Sequence, residues 1–163
     1  MVDAIRWLGL VCLAVPLAAL GGHVGELPNK LALDGTLWLA VQQHLYRGWG
    51  PVTAPFEIVA FASAWALAWL ARRRRAVFRP TLIAACCLTA ILAVFFVFNA
   101  PVNAAVAGWT ATTLPVDWTA YRWRWELGHL LSFLGALTAM VALLRGAFVD
   151  WRGARAVSRP VGH

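Results

Sequence analysis

Four long apolar blocks set the limits on what this chain can become. They run over residues 5–22, 52–71, 80–98 and 125–144, and each is near the ~20 residues that a ~30 Å hydrocarbon layer demands. A backbone crossing that layer must satisfy its own polar groups, so each block is expected to be a helix. Charged residues make up only 13% of the 163-residue chain, against roughly 25% in soluble domains. The expected fold is all-α: an integral membrane four-helix bundle forming a single domain over 1–163. The first block is also N-terminal and Ala/Leu-rich, as a signal peptide would be. Asp3 opposes Arg6, however, and no A-x-A site follows, so it is expected to remain as a span.

The formal net charge of +7 raises the question of nucleic acid. The cations flank apolar blocks instead of lining a polar face, which excludes that partner. Arg6, the run Arg72, Arg73, Arg74 and Arg75 with Arg79, and Arg145, Arg152, Arg155 and Arg159 fall on one side. Only Lys30, Arg47, Arg122 and Arg124 fall on the other. The positive-inside rule then makes both termini cytoplasmic, with 145–163 a cytoplasmic tail, and turns the connections 23–51 and 99–124 outward in the cell membrane. Tryptophans are expected at both boundaries: Trp38, Trp49, Trp109, Trp118, Trp123 and Trp125 outside, and Trp7, Trp69 and Trp151 inside. Cys12, Cys86 and Cys87 have no metal or redox spacing and read as small hydrophobes.

Between spans one and two, Asp34 can cap a short amphipathic helix on the outer surface. It would carry Leu37, Trp38, Val41 and Leu45 on one face, with Gln42, Gln43 and Tyr46 elsewhere. Pro101 cannot sit in an undisturbed helix, so 99–103 should be a kink or a restart. Asp117 is the expected N-cap of the last helix.

The chemistry gathers at the outer face. His23 with Glu26, and Glu126 with His129, are i, i+3 pairs, a spacing that puts two side chains on one helical face. Glu-x-x-His pairs and lone carboxylates hold paired metals in some four-helix bundles. The tentative ligand set is therefore His23, Glu26, His44, Glu57, Glu126 and His129, suited to Fe, Cu, Mn or Zn. An equally weighted alternative is structural: Glu126 pairing with Arg122, Glu26 with Lys30, and His129 bonding Asn99 or Asn103. No nucleotide-binding motif is present.

The stretch NAPVNAAVAGWTATTLPVDWTAYRWRWELGHL, residues 99–130, resembles the signature of the anthrone oxygenase-like family of small four-span membrane proteins, also catalogued as a domain-of-unknown-function family. The family pattern is approximately N-x-P-x-N, a tryptophan, P-x-D-W, and R-x-R/Q-W-E-x-x-H. It is matched here by Asn99, Pro101, Asn103, Trp109, Pro115, Asp117, Trp118, Arg122, Trp125, Glu126 and His129. The segment GGHVGELPNKLALDG is similar to one branch of the family. The resemblance implies a four-span fold and an oxygenase-type oxidoreductase, a monooxygenase acting on anthrone-like molecules without a nucleotide cofactor.

The reading that results is a membrane enzyme for a lipophilic small molecule, aromatic ones included. His129 would be the base, oriented by Glu126, with Asn99 and Asn103 stabilising an enolate and Trp109, Trp118, Trp123 and Trp125 offering stacking surface. The reaction would be either metal-dependent or cofactor-free. The alternative class is non-catalytic: a scaffold, transport accessory or lipid-binding protein in which the same cluster only packs.

Overall fold

The structure is a computed structural model that describes residues 1–157, with side chains to 153. Its helices are α1 (Val2–Gly25), α2 (Leu27–Ala32), α3 (Gly35–Ala40), α4 (Trp49–Ala71), α5 (Arg75–Val94), α6 (Ala100–Ala107) and α7 (Trp118–Val157). Two π-helical segments, Val41–Leu45 and Phe95–Asn99, interrupt them. Among the described residues four stretches are long and apolar enough to cross a membrane: Val2–Gly25, Trp49–Ala71, Arg75–Ala107 and Trp118–Gly153. They form a four-helix bundle in which α1 and α5 each pack against both α4 and α7.

The bundle core is built on small residues. Ala60, Ala64, Ala84, Ala85, Ala136 and Ala139 are fully or almost fully buried beside Leu13, Leu67, Leu88 and Leu143. In a bilayer helices gain little from burying apolar surface away from lipid, so close backbone approach and van der Waals contact must hold them. A Cβ on Gly9 would sit 2.9 Å from the Ser63 Cβ. The α1–α4 approach therefore requires glycine there.

Both long helices outrun the expected blocks. The third does not end at 98 but continues through the π segment into α6, 33 residues or about 50 Å at 1.5 Å per residue. The fourth begins at Trp118, directly after Asp117, and reaches Val157, so the first part of the expected tail is helical. Residues from 158, including Arg159 and His163, lie outside the described residues.

Pro101 explains the interruption. It falls in the first turn of α6, where its missing N–H and its ring leave the carbonyl four residues earlier, that of Val97, without an intrahelical donor. The π segment absorbs the misfit, and the Arg124 guanidinium donates to Val97 O at 2.5 Å. The expected restart is thus present, and a cation from the last helix repairs it.

The two ends of the bundle differ. The arginine end carries an ionic network in which Arg6 bonds Asp3 at 2.6 Å and Asp150 at 2.7 Å, while Arg74 bonds Asp150 at 2.5 Å. Trp7, Trp69 and Trp151 are exposed there, as a boundary belt should be. The opposite, polar end is closed by a second apolar cluster of Trp38, Leu39, Val102, Val106 and Trp125, flanked by Leu33, Tyr46, Trp109, Leu114, Trp118 and Tyr121. Trp38 and Trp125 are 0% and 3% exposed, so these two are interior residues and not part of a lipid-facing belt.

Asp34 does cap α3, accepting from Leu37 N at 2.9 Å. The face that α3 buries is nevertheless not the expected one. Gly35, Trp38, Leu39 and Gln42 turn inward at helical spacing, while Leu37 and Leu45 are exposed.

Candidate functional site

The polar end places a cation–carboxylate pair inside protein. Lys30 Nζ donates to Glu126 Oε2 at 2.7 Å, with side-chain exposures of 4% and 3%. Lys30 also stands 5.0 Å from the Trp125 ring centroid and 5.7 Å from that of Tyr46. The short helix α2, with Pro28 in its first turn, delivers Lys30 to the flank of α7. Arg122 fastens α2 in place by donating to the carbonyls of Lys30 at 3.2 Å and Leu33 at 2.9 Å. The local pairs Glu126–Arg122 and Glu26–Lys30 expected from spacing do not form. Glu126 takes its partner from a segment 96 residues away.

Glu26 accepts instead from the Tyr46 hydroxyl. Burial, followed by this carboxylate acceptor, holds the Tyr46 phenol above its ordinary pKa. His23 packs its ring against those of His129, Tyr46 and Trp125 at centroid distances of 4.3, 4.6 and 5.1 Å. His23 and Glu26 both meet Tyr46, the first through its ring and the second through the phenol hydroxyl, as an i, i+3 pair at a helix end can, since the Glu26 C-cap keeps helical geometry.

His129 is set by Asn99. The Asn99 amide donates to Trp125 O at 3.0 Å and lies 2.8 Å from His129 Nδ1, which is itself 2.9 Å from Trp125 O. Either imidazole tautomer therefore finds a partner: with the proton on Nε2, Nδ1 accepts from Asn99, and with the proton on Nδ1 it donates to Trp125 O. Gly128 permits this approach, since a Cβ there would collide with the Asn99 side chain. Asn103 accepts from Trp125 Nε1 at 2.9 Å. Both asparagines thus hold α7 residues in place, and the Asn99 amide donor is taken up by Trp125 O and His129. Glu126 does not orient His129 as expected; Asn99 does.

A lateral recess of about 360 Å³ opens beside this network, lined by Leu27, Phe98, Trp123, Arg124, Glu126, Leu127 and Leu130. Of the expected stacking residues only Trp123 borders it. Trp125 is buried behind it, Trp109 packs on Tyr121, and Trp118 packs on Trp38. Glu126 is the carboxylate in its wall, and His129 is not among the lining residues.

The tentative metal ligands do not converge. His44 and Glu57 are exposed, Glu26 is bonded to Tyr46, and Glu126 to Lys30. Among the described residues no group of three or more His, Cys, Asp or Glu side chains could hold a metal ion. The donor set does not fit the expected metal centre, because both carboxylates of the i, i+3 pairs are already engaged, Glu26 by Tyr46 and Glu126 by Lys30.

Sequence reasoning missed Lys30, Tyr46 and Arg124 as parts of this site. Pro101 was a usable signal for Arg124, since the carbonyl it orphans needs a donor. Comparison with family models, with curated proteins and with solved structures returns no match.

Proposed function

We propose that this protein is a membrane-embedded oxidoreductase of the oxygenase type, acting on a lipophilic aromatic molecule admitted sideways from the bilayer. The observation that carries the reading is the apolar recess with the Glu126 carboxylate in its wall. Lys30 occupies Oε2, while Oε1 is buried without a hydrogen-bond partner. A buried orphan acceptor costs about 1–3 kcal/mol, which a substrate O–H or acidic C–H reaching Oε1 would relieve. Every described buried polar atom lacking a partner, on His23, Trp38, Gln42, Arg122 and Glu126, belongs to the polar end. Such clustering is what a binding region, rather than a packing core, leaves behind.

In this reading Glu126 takes the proton from an electron-rich phenol or anthrone-like substrate, with Lys30 steadying the charge on its carboxylate. The anion so formed is reactive toward dioxygen without a nucleotide cofactor. Trp123 offers a stacking face at the mouth. The resemblance of residues 99–130 to the anthrone oxygenase-like family supports the same reaction class. The excess of arginine at the opposite end supports cytoplasmic termini and an outward-facing site in the cell membrane.

The test is oxygen uptake and quinone formation by the detergent-purified full chain supplied with anthrone. Glu126→Gln should lower turnover by about 10²-fold or more, and Asp117→Asn should leave it unchanged. A Glu126→Gln protein that turns over normally would remove the reading. Its competitor is non-catalytic lipid binding, favoured by the almost wholly apolar lining of the recess. That alternative would show saturable binding in the recess, reported by Trp123, with no oxygen consumed.

A further inference from the structure

The interior of the polar end holds more positive charge than it pairs. Lys30, Arg122 and Glu126 are all buried there, two cations to one carboxylate. Glu26 stands exposed outside this set, bonded to Tyr46. Lys30 takes the Glu126 carboxylate through Oε2, while Arg122, 8% exposed, forms no ion pair with any described residue. Its guanidinium lies 4.6 Å from the Trp118 ring centroid, and its Nη1 serves the carbonyls of Lys30 and Leu33. Its Nε is buried without a partner. The other unpartnered buried atoms lean the same way. Trp38 Nε1 and Gln42 Nε2 are N–H donors, His23 Nδ1 can donate or accept, and Glu126 supplies the carboxylate oxygen among them. A region with surplus donors and surplus positive charge is short of an anionic oxygen.

The open donor and the open acceptor are neighbours. Arg122 and Glu126 stand one turn apart on one face of α7. Lys30 joins them, since its carbonyl binds Arg122 and its ammonium binds Glu126. Arg122 does not itself border the recess, but Trp123 and Glu126 beside it do, and so does Leu27 of the short helix that Arg122 fastens. We infer, on the reading of Glu126 as the base, that Arg122 is the oxyanion donor of this site, with the oxygen of a phenolic substrate held between Glu126 Oε1 and Arg122 Nε. The O–H bond breaks, its proton passes to Oε1, and the electron pair left on oxygen faces the Nε–H and the guanidinium charge. A guanidinium stays protonated throughout, so Arg122 stabilises the anion without supplying or competing for a proton. Asn99, whose amide is committed to Trp125 O and His129, leaves that task open. Fixed donors of this kind act where negative charge develops, and they count most where water is excluded.

The experiment reads ionisation apart from oxygen chemistry. The full chain in nanodiscs of zwitterionic lipid, kept free of oxygen, is loaded with an alkylated para-nitrophenol, whose phenolate is coloured. Its methyl ether is the neutral control. Wild type should ionise the bound probe at lower pH than protein-free nanodiscs do, by about tenfold or more in the ionisation constant. Glu126→Gln should keep or enlarge that shift, Arg122→Gln should abolish it, and the methyl ether should bind equally to all three. Arg122→Lys, the variant to use if the glutamine chain does not fold, keeps the charge and loses the Nε–H, so its shift should be smaller than that of wild type. An unshifted titration of probe bound to wild type would overturn the proposal and leave Arg122 a strut between α2 and Trp118. So would an undiminished shift in either Arg122 variant. Oxygen uptake with anthrone reads the base separately. A shifted probe without oxygen uptake removes the oxygenase reading and keeps Arg122 as the anion donor, whereas normal uptake with an unshifted probe removes the oxyanion role alone.

Discussion

The two ends of the bundle use the same chemistry, a basic side chain against a carboxylate, in opposite settings. At the arginine end Arg6, Arg74, Asp3 and Asp150 share charge among side chains that are 14%, 59%, 83% and 19% exposed. Each ion there has neighbours of opposite sign and access to water, so losing one leaves the others solvated. At the polar end Lys30 and Glu126 are 4% and 3% exposed, and each depends on the other. The comparison teaches that the ion pair at the arginine end is a tether between helix termini. The pair at the polar end is a commitment: two desolvated charges whose separation is costly and whose retention needs a reason beyond stability.

The strongest way to break this contrast is Lys30→Met, which strands Glu126 in the interior. Stability in mixed-micelle unfolding should fall by about 3–5 kcal/mol, and Lys30→Met combined with Glu126→Leu should recover most of that loss. If the single variant unfolds like wild type, the pair is not buried in solution. Next is Asn99→Leu, which removes the donor shared by Trp125 O and His129; a loss of about 1–3 kcal/mol is expected. Gly128→Ala should produce a similar defect by displacing the same amide, and normal stability in both would separate Asn99 from the integrity of the polar end.

Asp34→Ala should cost about 1 kcal/mol through the lost cap of α3, with thermal melts as the readout and no change as the contrary result. Smallest is Arg6→Ala, expected at about 1 kcal/mol or less and fading as salt rises. A salt-resistant loss there, equal to that of Lys30→Met, would erase the distinction between the ends. One titration sharpens it further. The Tyr46 phenol is raised in the folded chain, so near pH 10 the unfolded chain gives up this proton first and stability falls as pH climbs from there. Ultraviolet titration of Tyr46→Phe against wild type should remove a phenol that ionises above the usual tyrosine range, and an ordinary midpoint for Tyr46 would contradict the contact with Glu26.

Much of the polar end was legible in the chain, although its pairings were not. The aspartate cap of the surface helix, the disturbance at Pro101 and the contact between Asn99 and His129 all follow from residues that act within a turn or that carry few alternatives. The ligand set failed for a different reason. An i, i+3 spacing sets a shared face but not the partners on it: His23 and Glu26 both meet Tyr46, which takes up the Glu26 carboxylate. Glu126 and His129 do lie on one continuous helix, yet Lys30 draws one and Asn99 engages the other.

The sequence by itself determined the spans, the helical class and the asymmetry of charge, because each rests on local composition measured against the thickness and polarity of a bilayer. Only the tertiary structure decided that Lys30 reaches Glu126 and that Arg124 serves the carbonyl Pro101 abandons. Those outcomes depend on where helices cross and diverge. Distant side chains compete there for a few buried partners, and no local pattern records which of them wins.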